Sequence, residues 1–377
     1  MAGVTADTAS ALDALLGGLR RRPDVEAAEL RAWDAADRYL LDTAAPLLAD
    51  APAAVVVVDD THGALSLGAR TLGAARVRVH QDSLVAQHAL EANAVAAGVV
   101  AIEQHSLETV MSPDAPLALL RLPRSLDRLD AVARHLAAHA HPDAVLIAGN
   151  MLKHMTPAQN DVLRASWQHV DVSLARGKAR LLTARGPRRL EPPAPARGYA
   201  PEHELHIVAL PGVFASRSLD IGTRALLDAA DRLPPFATAI DLACGSGVLA
   251  AFLARREPGA RVIASDVSAV AVQSAALTAA ANGARIEPVH DDGLSQQPDA
   301  SADLIVLNPP FHVGAAVHTG VALRLFAEAD RVLRPGGELW AVWNSHLAYA
   351  PALERAVGAT RQVARTPKFT VTASRRR

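Results

Sequence analysis

Four short segments in the second half of the chain carry residue types that chemistry needs. The first is Asp241-Leu242-Ala243-Cys244-Gly245-Ser246-Gly247, set between an apolar strand pattern and an apolar helix pattern. Gly245 and Gly247 let backbone approach a ligand where a β-carbon would intrude, and the following helix offers unpaired amides. Such a loop suits a nucleotide-like cofactor; otherwise it is a tight turn. The second segment is Asp266, 25 residues beyond Asp241 and at the end of the next strand pattern. A carboxylate there accepts hydrogen bonds from both ribose hydroxyls. The loop has neither GxGxxG spacing nor a Walker lysine followed by serine or threonine, which disfavours a dinucleotide cofactor and a P-loop.

The third segment, Asp291-Asp292, follows a third strand pattern. Asp292 suits the exocyclic amine of an adenine, with a solvent-facing turn as the alternative. The fourth is Asn308-Pro309-Pro310-Phe311-His312. The side-chain oxygen of Asn308 and the carbonyl of Pro309 are two acceptors that hold an NH2 group, and Phe311 offers a face on which a base stacks. The competing reading is a turn stiffened by its prolines. An exocyclic amine is conjugated with its ring and is a poor nucleophile. Acceptors that draw its hydrogens as positive charge develops on nitrogen supply the help it needs. His312 reads as a positioning residue. Cys244 has no evident paired base and is expected to pack as a small hydrophobe. His203, His206, His318 and His346 show no metal-ligand spacing, so no metal is expected.

These segments need a scaffold that brings four strand ends together. Strand patterns run over Ala239–Leu242, Arg261–Ser265, Ala284–Val289, Leu304–Leu307 and Glu338–Trp343, with alanine-rich helical patterns between them. A helix is also expected over Ile221–Ala230. Short apolar strands alternating with helices imply a parallel sheet covered on both faces. The last two strands, Thr360–Arg365 and Lys368–Ala373, are joined too tightly for a crossover and predict an antiparallel hairpin.

The first half repeats this rhythm. Strands are expected over Ala54–Val58, Arg76–His80, Val99–Glu103, Leu117–Arg121 and Ala144–Ala148. Helices are expected over Ala32–Leu48, Ser83–Ala97, Leu126–Ala140 and Pro157–Val170. RVRVHQDSLVAQHALEANAVAAG lies over RVIASDVSAVAVQSAALTAAANG, which reads as an internal duplication. The proline-rich stretch Arg185–Pro201 is the expected linker. The fold class is therefore α/β, with two tandem Rossmann-like domains, each a seven-stranded mostly parallel sheet with an antiparallel terminal hairpin.

Composition sets the limits. At 377 residues and 50% hydrophobic, the chain is long enough for two cored domains of about 100 to 200 residues each. Apolar runs such as Ala54–Val58 are far too short to cross a bilayer, and the start lacks a secretory pattern, so a cytoplasmic protein is expected. The one cysteine fits a reducing compartment. A formal net charge of -1 does not by itself suggest a nucleic acid partner. Arg176, Lys178, Arg180, Arg185, Arg188 and Arg189 nevertheless crowd together, as do Arg375–Arg377, either as solvated charge or as a phosphate-binding edge.

DLACGSG, Asp266 and NPPFH together resemble class I S-adenosylmethionine-dependent methyltransferases, specifically the ribosomal RNA guanine-N2 methyltransferases with duplicated domains. NPP alone is shared with enzymes acting on DNA adenine and protein glutamine. The segments PGVFASRSLDIGTRALL and KFTVTAS narrow the likeness. RAWDAADRYLL, DDTHGALS and AGNMLKHMT look more like the large-subunit enzyme than its small-subunit relative. The resemblance implies S-adenosylmethionine bound by Phe214, Ser216, Asp241, Gly245, Gly247, Asp266, Asp292 and Asn308. It places the target base at Asn308, Pro309, Pro310 and Phe311. The implied reaction is methylation of guanine N2 in 23S ribosomal RNA, naked or in a partly assembled large subunit, by a monomer. The alternatives are a 16S guanine, another amine acceptor, or a noncatalytic RNA-binding scaffold.

Residues 191–377 are then the catalytic domain and residues 1–190 a degenerate copy that positions RNA. In that copy Thr61 stands where the loop has Gly245, Gln81 lies opposite Asp266, and Arg121 replaces the acceptor Asn308. Arg121, Arg124 and Lys153 are candidate phosphate contacts.

Overall fold

The computed structural model describes residues 6–50, 54–309 and 315–377, without the side chains of Asp50 and residues 315–319. Its contacts divide into two compact units, Met1–Pro193 and Ala194–Arg377. The first unit contains β1 (Ala54–Val58), β2 (Arg76–His80), β3 (Ile102–Gln104), β4 (Leu117–Arg121), β5 (Val145–Met151), β6 (Trp167–Val172) and β7 (Ala179–Pro187). The second opens with a hairpin, β8 (Ala196–Ala200) and β9 (Leu205–Ala209). It continues with β10 (Thr238–Leu242), β11 (Arg261–Asp266), β12 (Glu287–His290), β13 (Ala302–Leu307), β14 (Leu333–Asn344), β15 (Thr360–Arg365) and β16 (Phe369–Arg375).

The large sheets share one topology. Their orders are β3-β2-β1-β4-β5-β7-β6 and β12-β11-β10-β13-β14-β16-β15. Five strands in each are parallel, and the last two form the expected antiparallel hairpin. Strand order reverses beside β10, which pairs with β11 on one side and β13 on the other. Crevices for ligands open at the carboxyl ends of strands at such a reversal. The glycine loop leaves β10 there and Asn308 follows β13.

Alternation along the strands explains the continuous apolar runs. Leu304, Val306, Trp340 and Val342 join the core on one face, while Ile305, Leu307, Leu339 and Ala341 join the core on the other. The first sheet divides in the same way, with Val55 and Val57 on one face and Val56 and Val58 on the other.

Four expectations need correction. The helix expected over Pro157–Val170 ends at Ser166, and Trp167 begins β6. Trp167 is fully buried and pairs with Pro187, so burial of the ring against the sheet overrides continuation of the helix. The expected linker Arg185–Pro201 overlaps β7 and β8, because proline is tolerated at a strand end on the outer hairpin. Only residues 188–195 run between them without regular structure. The helix expected to reach Ala230 ends at Leu227. The strand expected over Ala284–Val289 begins only at Glu287, opposite Ile263.

Gly247 begins the helix Val248–Arg256 with φ +74°. A β-carbon there would stand 2.4 Å from the Ala275 Cβ and 2.5 Å from its Cα. Gly259, by contrast, has no heavy atom within 4 Å of its would-be β-carbon. Gly247→Ala is expected to destabilise the second unit by about 2 to 4 kcal/mol in urea unfolding, through overlap and left-handed strain. Gly259→Ala should stay within about 1 kcal/mol. Equal effects of the two would overturn this account of the loop packing.

Candidate active site

The loop after β10 is shaped by three residues in left-handed backbone: Ala243 at φ 58°, Gly245 at 53° and Gly247 at 74°. A β-carbon on Gly245 would meet nothing within 4 Å, so the loop edge faces open space. Asp241, 1% exposed, turns its carboxyl to the following helix and accepts from the Ala250 amide at 2.9 Å. Burial pushes its pKa up to about 8; the amide bond opposes the shift and the nearby Asp266 carboxylate adds to it. Burial also raises the Cys244 thiol well above its ordinary range, so it is no ready nucleophile and packs in the core as expected.

Asp266 ends β11 and is held by two amides, Gly245 to Oδ2 and Ser268 to Oδ1, each at 2.9 Å. Asp291 is buried and used structurally, accepting from the Ser295 hydroxyl and the Gln296 amide. Its neighbour Asp292 accepts from Arg324 at 2.6 Å through Oδ2. The other oxygen, Oδ1, is buried with no hydrogen-bond partner among the described residues.

Asn308 lies just past β13. Its Nδ2 donates to Asp220 Oδ2 and to Thr223 Oγ1, both at 3.0 Å. Its Oδ1 is buried and unpartnered among the described residues. An orphaned buried acceptor costs about 1 to 3 kcal/mol, which marks the position as one a ligand donor completes. Asp220 precedes the helix Ile221–Leu227 and caps it, accepting from Gly222 and Thr223 amides at 2.8 and 3.1 Å.

One cleft joins part of this set. Phe214, Asp220, Thr223, Asp241, Gly245 and Asn308 are among the residues lining it. Phe214 is 51% exposed at its rim. Ser216 sits in the adjoining turn at φ 47°, and the cleft wall there comes from Ala215 and Ser218 instead. Gly247, Asp266 and Asp292 lie along the same strand ends but do not line this cleft. Pro309 is buried behind Asn308; Pro310, Phe311 and His312 lie outside the described residues. Sequence reasoning missed Asp220 and Thr223, although Asp220 stands directly before a helical pattern, where a capping acid is expected.

The first unit repeats these positions with other residues. Asp60, in the place of Cys244, accepts from the Gly63 amide at 3.2 Å and the Ser66 amide at 2.7 Å. Gln81 donates to the Asp60 carbonyl and to Ala86 O. Arg121 is half-buried and bonds Asp34 at 2.9 and 3.0 Å, with Asp37 at 3.2 Å. Arg121 is thus an internal ion-pair member and not the surface cation expected for a phosphate contact. Two wider depressions on this unit, one at Arg22, Asp24 and His88 and one at Arg78, His139 and Arg189, are lined by neither a glycine loop nor a strand-end asparagine.

Residues 10–188 match the RLMG N-terminal domain and residues 204–373 the Methyltransferase small domain. The Ribosomal RNA large subunit methyltransferase G of Pseudomonas entomophila is 38% identical over 367 residues, covering 95% of this chain and 97% of the relative. The protein of the same name from Streptomyces avermitilis is 36% identical over 367 residues, covering 94% and 95%. The chain belongs to the ribosomal RNA large subunit methyltransferase G family. It is an S-adenosylmethionine-dependent methyltransferase by that membership, as the motifs implied. A solved T. thermophilus 16S rRNA N2 methyltransferase, in complex with AdoMet and guanosine, has the same fold at a TM-score of 0.74. It is 24% identical, with 89% of this chain and 92% of that one covered. The fit of this family member's site to its cofactor rests on its own atoms: open space at Gly245 and an Asp292 Oδ1 without a partner among the described residues.

The buried Asp241 supplies a pH test. Its folded pKa lies above the unfolded value, so its contribution to stability is fully present below about pH 4 and is lost as pH rises through about 8. Asp241→Asn keeps an oxygen for the Ala250 amide and removes the titration. Between pH 5 and pH 8.5 the variant should gain on the order of several kcal/mol relative to the parent in urea unfolding. Parallel pH profiles would count against a buried, proton-holding Asp241.

Proposed function

We propose that the catalytic domain expected over residues 191–377 transfers a methyl group from S-adenosylmethionine to the exocyclic N2 amine of a guanine in 23S ribosomal RNA. The observation that carries this reading is the Oδ1 of Asn308 at the point of strand reversal, buried and without a partner among the described residues. S-adenosylmethionine supplies an electrophilic methyl on a sulfonium that is already a good leaving group. The protein's work is therefore placement. Asp266, held by the Gly245 and Ser268 amides, accepts the ribose hydroxyls. Asp292 Oδ1 accepts from the adenine amine. Gly245, Gly247 and Asp241 shape the loop, and Phe214 and Ser216 belong to its entrance. Asn308 Oδ1 and the Pro309 carbonyl accept the hydrogens of the guanine amine, and Pro310 and Phe311 receive the base. The methylated nitrogen loses its extra proton to water.

The large subunit is favoured because the relatives similar over nearly the whole chain carry large-subunit names. Ribosomal RNA, naked or partly assembled, is the partner of a cytoplasmic monomer. The domain expected over residues 1–190 positions that RNA. With Arg121 internal, its candidate contacts are the neighbouring cations Arg124 and Lys153. Both depress the proton affinity of His154, to which Arg124 is bonded at 3.2 Å. Burial is the larger cause of that depression. A phosphate fits such a cluster by charge.

The decisive experiment incubates the protein with labelled S-adenosylmethionine and separated ribosomal RNAs from cells lacking it, then identifies the modified nucleoside by mass spectrometry. N2-methylguanosine in 23S RNA is expected; only N6-methyladenosine, or only methylated protein, overturns the proposal. Asn308→Ala should cut turnover by about 100-fold or more with S-adenosylmethionine affinity nearly unchanged. Equal losses in both would argue against the amine-acceptor role. Reversing charge with Arg124→Glu and Lys153→Glu should raise KM for RNA and flatten its salt dependence, with kcat retained. An unchanged salt slope would remove this edge from RNA binding.

A further inference from the structure

We infer that Asp220 and Thr223 are positioning residues that fix the Asn308 amide with its oxygen toward the substrate, and so restrict the site to a hydrogen-donating target atom. The inference rests on the methyl-transfer reading above for its consequence, and on geometry for its substance. The two ends of an amide are nearly equal in size and exchange by rotation about one bond, so only hydrogen bonding decides which end faces the cleft. Asp220 Oδ2 and Thr223 Oγ1 both lie 3.0 Å from Asn308 Nδ2. A rotated amide would set its oxygen against a carboxylate at that distance, two acceptors with no hydrogen between them.

The holder is itself fixed. Asp220 Oδ2 accepts the Gly222 and Thr223 amides, and a β-carbon on Gly222 would stand 3.0 Å from that oxygen and 3.3 Å from both amide atoms of Asn308. Asn308 Oδ1 is left buried and unpartnered among the described residues. An oxygen target, such as a base carbonyl, would meet acceptor against acceptor; an amine supplies the missing hydrogen.

The first unit corroborates the assignment from within the same chain. Asp34 there accepts the Ala36 and Asp37 amides, the same two-residue and three-residue spacings as at Asp220, and grips Arg121 at the place of Asn308. Where the fourth strand ends in a cation, the position of Thr223 carries Asp37. The holder matches the donor it holds in both units.

Thr223→Val removes one acceptor at constant shape, and Asp220→Asn keeps a capping oxygen but permits the rotated amide. Each should lower kcat about tenfold or more, with S-adenosylmethionine affinity and RNA KM within about threefold. Thr223→Ser should restore most of what Thr223→Val loses. Added to Asn308→Ala, neither should cause a further loss, because all three act through one oxygen. Independently of turnover, NMR of the ligand-free protein should find the Asn308 side-chain hydrogens protected from solvent exchange, and less protected in Thr223→Val and Asp220→Asn. Unchanged kcat and protection in both variants, or losses that multiply with Asn308→Ala, would overturn the assignment. A protected amide in a wild-type protein that methylates no RNA would leave the assignment standing and fail the methyl-transfer reading instead.

Discussion

Because both faces of the β10 to β16 sheet are covered by apolar side chains, a polar group that acts on a ligand must sit beyond a strand end. The parallel arrangement collects those ends on one side, and the reversal of order at β10 opens a crevice between neighbouring connections. The glycine loop, Asp266, Asp292 and Asn308 all follow from that single constraint. They come from segments separated by as much as 67 residues, from Asp241 to Asn308, yet each lies in the last two residues of its own strand or within the first few beyond it.

The two units show how little of such a scaffold must change for its chemistry to change. The helix after the first strand needs a carboxyl cap in both. Asp241 supplies it in the second unit, Asp60 in the first, three residues further along in the equivalent positions. At the end of the second strand Asp266 gives way to Gln81, whose amide is spent on internal carbonyls. At the end of the fourth, a neutral acceptor gives way to a guanidinium. Each exchange keeps buried polar groups hydrogen-bonded, as the low dielectric of the interior demands, while removing a group a ligand would need.

Legibility in the sequence tracked locality. β1, β2, β4 and β15 were bounded correctly because each is a short run flanked by turn-forming residues. The glycine loop was readable because its left-handed backbone positions favour glycine at Gly245 and Gly247. The start of β6 was not readable, since Trp167 leaves a helix only by virtue of a partner 20 residues away at Pro187. Asp220 and Thr223 were hidden for the same reason: their bonds to Asn308 cross 88 and 85 residues. Arg121 misled in the opposite sense. An arginine at a strand end reads as surface charge until Asp34 and Asp37, 87 and 84 residues upstream, are seen to enclose it.

That enclosure constrains what position 121 can be. Placing asparagine at position 121 would leave the buried Asp37 and the more exposed Asp34 facing each other without their cation. Asp37, already pushed up to about 7 chiefly by burial, would lose the guanidinium that holds it down. A return to an amine-accepting site would therefore need compensating changes at Asp37 and at Arg121 together. A single exchange at position 121 is therefore opposed by the two carboxylates around it, and the ion pair ties the polar character of this strand end to theirs.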